Sequence, residues 1–164
     1  LARDNKARHN LAVIYQEQGR LAEAEEQWRT AVASEPHFLP AWVGLGEVYL
    51  AQGRWKELEE ATTRLAKAGA KEESVLLRAR GLIIREQYEE ARPNLENLIQ
   101  ANPTLVIAHR ALSHLLLREG RDWVAAEKAL RGVLELAPHD GEARNNLEVL
   151  LRERQTSQAE STAE

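Results

Sequence analysis

An all-α fold, a solenoid of antiparallel helix pairs, is what this sequence predicts, and three observations predict it. More than half of the 164 residues are Ala, Leu, Glu, Arg or Lys, the bias of long or repeated helices. Nine Gly and five Pro are too few for a turn-rich β protein. Most telling, short motifs recur with a period of about 34 residues, the mark of a repeat array. Gly19-Arg20 returns as Gly53-Arg54 and again as Gly120-Arg121, and Pro36 returns as Pro103 and Pro138.

Each element follows from the columns of this repeat. Leu11, Ala12 and Tyr15 make an apolar stripe at helical spacing, and Ala24, Trp28 and Ala31 make a second. Gly19 separates the two, where a helix must end and a left-handed residue is needed. A unit is therefore helix A, a short turn, and helix B. Leu45, Gly46 and Tyr49 repeat the A stripe, and Leu112, Ser113 and Leu116 repeat it again. Ala24, Leu58, Ala91 and Ala126 share one B column; Trp28, Thr62, Leu95 and Leu130 share the next. Small residues alternate with large ones, so that helices approach closely and bulky side chains fill the gaps.

The motifs Trp42-x2-Leu45-Gly46-x2-Tyr49 and Ala24-x3-Trp28…Pro36 resemble the tetratricopeptide repeat (TPR) signature. The resemblance covers about residues 5–153. It implies a right-handed superhelix with one array over 1–154, made of repeats 5–38, 39–71, 72–105 and 106–139. A capping helix over 140–154 follows, with Asp140 as its N-cap and Leu147, Leu150 and Leu151 on its apolar side. The polar segment 155–164 has no apolar stripe and is expected to be disordered. The pattern departs in repeat 3, with Arg78 for Leu and Glu86 for the turn Gly, and repeat 4 carries one extra residue before Ala126. Pro93 falls inside a B helix, which predicts a kink or a late start.

Composition also excludes function classes. With no Cys there is no disulfide, thiolate metal site or Cys nucleophile. A net charge of −4 argues against nucleic acid and anionic membranes as partners, and no apolar run reaches the ~20 residues of a membrane span. A cytoplasmic location is the default expectation. His109 and His114 stand five apart and do not share a helix face, so no metal is expected. Gly44-Leu45-Gly46 lacks the third Gly and preceding strand of a phosphate loop. All four Trp occupy repeat positions and read as packing residues. No catalytic residues and no cofactor are expected, and the chain reads as a non-enzyme.

The resemblance implies that helix A lines the concave side of the superhelix. The A residues not used for packing are then His9, Val13 and Gln16 in repeat 1, and Val43, Glu47 and Leu50 in repeat 2. Repeat 3 gives Leu76, Arg80 and Ile83; repeat 4 gives Arg110, His114, Leu117 and Arg118. Apolar residues mixed with arginines suit a partner segment carrying acidic and apolar side chains, since Arg grips carboxylates bidentately. A Lys/Asn carboxylate clamp is missing: its positions hold His9, Val13, Gly44, Glu73 and Leu77. An asparagine ladder is missing too, since only Asn10 and Asn146 stand in that column. The expected function is a protein-interaction scaffold, with a second copy of the chain as another candidate occupant of the groove. The alternative is an accessory, substrate-positioning or dimerisation domain of a larger bacterial enzyme, such as a glycosyltransferase. The absence of Met fits a segment of something longer.

Overall fold

The computed structural model describes the backbone of residues 2–161 and side chains from Asp4 to Thr156. Nine α-helices run through the described residues. They are α1 (Ala2–Glu17), α2 (Leu21–Ser34), α3 (Leu39–Ala51), α4 (Trp55–Lys67), α5 (Lys71–Ile84), α6 (Tyr88–Ala101), α7 (Val106–Glu119), α8 (Trp123–Leu136) and α9 (Gly141–Ser161). The odd-numbered helices are the A and capping helices, the even-numbered ones the B helices, with bounds at the predicted spacing. Two compact units emerge, Leu1–Arg85 with α1–α5 and Glu86–Glu164 with α6–α9. The division falls inside the predicted third repeat, where the sequence departs most from the pattern.

In unit 1 successive helices pack in chain order from α1 to α5, and α3 also touches α1 and α5. The small residues Ala12, Ala24, Ala31, Ala41 and Ala61 are fully buried, and Trp28, Leu45 and Leu65 fill the spaces they leave. Three helical glycines set the closest approaches. A Cβ on Gly44 would sit 2.3 Å from the Trp28 indole, one on Gly46 2.7 Å from Leu77, and one on Gly81 2.8 Å from Leu58. Asn5, buried near the start of α1, donates to Glu35 and accepts from the Ser34 hydroxyl, both at 2.9 Å, and so ties α1 to the end of α2.

The first two Gly-Arg dipeptides share one arrangement. Gly19 and Gly53 take φ of 73° and 66°, the left-handed geometry that ends a helix. The next amide turns back onto the preceding helix: Arg20 N–H donates to the Tyr15 carbonyl at 2.8 Å, Arg54 N–H to that of Tyr49 at 2.9 Å. Each guanidinium then lies over the ring of the same Tyr, 4.4 and 4.5 Å from its centroid. The carboxylates of Glu23 and Glu57, three residues on, hold the guanidiniums in place. Glu86 occupies the corresponding post after α5 with φ 60°, a conformation that a side chain disfavours.

Unit 2 buries Ala91, Leu95, Ala108, Leu115, Leu130 and Val133, with Ala143 and Leu150 contributed by α9. Of the kink or late start expected at Pro93, the late start does not occur: α6 begins on repeat spacing at Tyr88 and Pro93 lies in its second turn. The extra residue of repeat 4 has a clear purpose: Asp122 caps α8, accepting from the Ala125 amide at 2.9 Å, whereas α2, α4 and α6 have no side-chain cap. Asp140 accepts from the Ala143 amide at 2.9 Å as the N-cap of α9. Helix α9 packs on α8 and is held there by Arg154 donating to Glu127 at 3.2 Å. Its helix continues to Ser161, so residues 155–161, predicted without order, are helical; residues 162–164 lie outside the described residues.

Trp123 is a second difference from expectation. Trp28 is buried and Trp42 and Trp55 are half-buried, but Trp123 is 43% exposed. Helix α5 makes room beside Trp55 with Gly81, whereas α9 carries Leu150 at that repeat position.

Candidate functional site

The A helices carry the candidate binding face, and each unit presents its own. In unit 1, Val13, Val43 and Leu76 are half-buried on α1, α3 and α5, which leaves part of each side chain open. Arg80 on α5 forms an ion pair with Glu47 on α3, so two predicted groove residues meet across adjacent A helices. Gln16 is half-buried at the end of α1. Leu50 and Ile83, predicted for the groove, are instead 5% and 2% exposed and present no surface to a ligand. Leu50 is buried because it packs over Gly81, 3.7 Å from where a Cβ would stand. The apolar stripe that A helices use for packing is thus wider here than the repeat columns indicate.

His9 is likewise turned to packing. Its Nδ1 accepts a hydrogen bond from Trp28 Nε1 at 3.1 Å, and its ring meets Phe38 edge-on. Burial holds its pKa below the ordinary value, and an Nδ1 that accepts from an indole must be unprotonated.

In unit 2, His114, Leu117 and Arg118 lie on α7, with His114 and Arg118 exposed and Leu117 half-buried. Arg110 donates to the Asp140 carboxylate at 2.6 Å, which couples the α7 face to the N-cap of α9. The Asp140 pKa lies below the usual range, first through the Ala143 amide and then through Arg110. Arg118 makes no ion pair among the described residues, which makes it the open cation of this face.

No group of three His, Asp or Glu among the described residues is arranged to hold a metal ion. No described helix is long and apolar enough to cross a membrane. What the repeat columns did not reveal is how far the arginines would be engaged within the chain: Arg80 and Arg110 both have carboxylate partners near a full repeat away, Glu47 and Asp140.

Antiparallel helix pairs with close-packing glycines, left-handed turns and a capping helix define a helical-repeat scaffold of the α-solenoid class. The tetratricopeptide repeat profile matches residues 9–73 and 76–141. The chain belongs to the tetratricopeptide repeat family, whose fold serves protein–protein interaction. Solved structures agree. TTC0263, a thermophilic TPR protein of Thermus thermophilus, is 26% identical with a TM-score of 0.76, covering 90% of this chain and 81% of its own. YrrB, described as a TPR protein with an unusual peptide-binding site, is 21% identical with a TM-score of 0.60, over 90% and 76% of the two chains. MamA of Desulfovibrio magneticus RS-1 is 16% identical with a TM-score of 0.71, over 96% and 90%. No curated protein sequence matches the chain significantly.

Proposed function

We propose that this chain is a non-catalytic scaffold whose A-helix faces bind a partner's peptide or helix carrying acidic and apolar residues. The observation that carries the reading is that each A helix of unit 1 keeps one apolar residue partly open, Val13 on α1, Val43 on α3 and Leu76 on α5. Isolated surface apolar residues need no explanation, but one on every A helix gives an apolar segment several places to lose water. The acidic preference rests on unit 2, where Arg118 offers an unengaged guanidinium and His114 a second donor. In unit 1 the Glu47–Arg80 pair offers both signs, a carboxylate and a guanidinium that an incoming segment can match in turn.

The test is direct binding of fluorescent acidic-apolar peptides. Arg118→Glu is expected to weaken binding about tenfold, through loss of a charge-assisted contact and gain of repulsion. Lys56→Glu, an exposed B-helix control of the same charge change, is expected to have little effect. Equal losses in the two variants would reject the A-helix assignment.

A further inference from the structure

Unit 2 contains a cleft of about 760 Å³ between α6 and α8, with α7 as its floor. His109, Leu112 and Leu116 form the floor, Ile99 one wall, and Val124 and Gly132 the other. The charges at its rim are largely matched among themselves, Arg92 to Glu96 and Glu127 to Arg131, which leaves the interior mainly apolar. None of His114, Leu117 and Arg118 lines it, so it is separate from the A-helix face.

Unit 1 shows what occupies the corresponding place. His109 stands 67 residues after Trp42, and Gly132 stands 68 after Arg64, the spacing of their repeat columns. Both floor residues are held alike: Trp42 Nε1 donates to the Pro36 carbonyl at 2.9 Å, and His109 Nε2 contacts the Pro103 carbonyl at 2.9 Å. In unit 1 the Arg64 guanidinium covers the Trp42 ring, 5.9 Å from its centroid. Unit 2 replaces this indole and guanidinium with an imidazole and a hydrogen atom. Leu45 beneath the Trp42 post is 1% exposed, whereas its counterpart Leu112 is only half-buried.

The imidazole also sets the chemistry of an occupant. A carbonyl oxygen only accepts, so in the neutral ring His109 Nε2 carries the proton and Nδ1 is an acceptor. Nδ1 faces α8, 3.0 Å from where a Gly132 Cβ would be, and has no hydrogen-bond partner among the described residues. We propose that this cleft binds a small indole-type molecule, a planar aromatic ring whose N–H donates to His109 Nδ1. The cleft's size falls within the range of small-molecule sites. The occupant fills the space that the six-membered ring of Trp42 and the Arg64 side chain take up in unit 1 and that His109 and Gly132 leave open.

Indole titrated into the full chain, followed by amide chemical shifts, tests this. Saturable shifts are expected at residues of α6, α7 and α8 around Ile99, His109 and Gly132. 1-Methylindole, which lacks the N–H, is expected to bind about fivefold more weakly. The double variant H109W/G132R, which installs the unit 1 residues, is expected to abolish binding while keeping the circular dichroism of the parent. The proposal is overturned by the absence of saturable shifts at these residues, or by shifts confined to α1–α5. It is also overturned by equal binding of 1-methylindole, or by binding of tryptophan-containing peptides without binding of free indole. Mapping and the methylindole comparison use the unaltered chain, so they decide the matter even if the variant does not fold.

Discussion

Arg92 on α6 reaches Asp122 at the N-cap of α8, 3.1 Å away, and thereby repeats with reversed charges the 2.7 Å contact of Glu25 on α2 with Arg54 at the N-cap of α4. The intrahelical partner is reversed as well, since Glu25 pairs with Arg29 and Arg92 with Glu96, each four residues on. The two copies differ in burial, with the Glu25 side chain at 12% exposure and that of Asp122 at 39%. Asp122 in addition keeps a bond to the Ala125 amide. Removing the arginine therefore has unequal effects. Arg54→Met leaves a largely buried carboxylate short of a partner and is expected to cost about 1–3 kcal/mol. Arg92→Met is expected to cost clearly less, and urea denaturation of the two variants measures the difference.

His9 makes stability depend on pH near neutrality. Its folded pKa lies below the unfolded value of about 6.5. Above that value the side chain is neutral in both states and the contact is intact. As pH falls below it, the unfolded chain takes up the proton first, so stability drops until the folded pKa is passed. The midpoint of thermal unfolding, followed by tryptophan fluorescence, is expected to fall between pH 7.5 and 5.5. In His9→Gln, which keeps an acceptor for Trp28 without a titrating group, the fall is expected to be smaller.

Asp122 and Asp140 act at the other end of the pH range. Both pKa values are lowered, chiefly by the cap amides of Ala125 and Ala143 and then by Arg92 and Arg110. Their contribution is complete above the unfolded carboxylate value of about 3.9 and is lost as pH falls through the lowered folded values. Asp140→Asn is expected to flatten the acid limb of a stability-against-pH curve and to leave its neutral limb in place.

Glu86 stands where other turns of this chain use Gly, with φ 60°. Left-handed geometry costs a residue with a Cβ about 1–2 kcal/mol, and Gly forfeits part of that gain through unfolded-state entropy. Glu86→Gly is expected to raise stability by up to about 1 kcal/mol, and Gly53→Glu to lower it by a similar amount. Chemical denaturation of both variants checks the sign.

Gly44 has the tightest packing contact of any glycine in the chain, against the face of Trp28. Because that indole is only 1% exposed, it has little room to retreat. Gly44→Ala is expected to destabilise by about 1–3 kcal/mol despite its better helix propensity.

Much of this architecture was legible in the sequence because period and apolar columns are local signals. Gly19 and Gly53 marked the turns, Asp140 the last cap, and the Ala columns the buried small residues. Other features depend on partners about a repeat away and leave no local trace. Leu50 looked available until Gly81 proved to receive it, and Arg80 and Arg110 looked free until Glu47 and Asp140 proved to hold them. Trp123 matched its column yet is 43% exposed. The substitution of Trp42 and Arg64 by His109 and Gly132 was visible in the sequence, but only the fold brings the last two together.

Amide chemical-shift mapping with an acidic-apolar peptide shows most directly where a partner segment docks. The largest changes are expected on the A helices, at Val43 and Leu76 in unit 1 and at His114 and Arg118 in unit 2. Changes concentrated on the B helices α2, α4, α6 and α8, with the A-helix amides unmoved, would contradict the A-helix assignment.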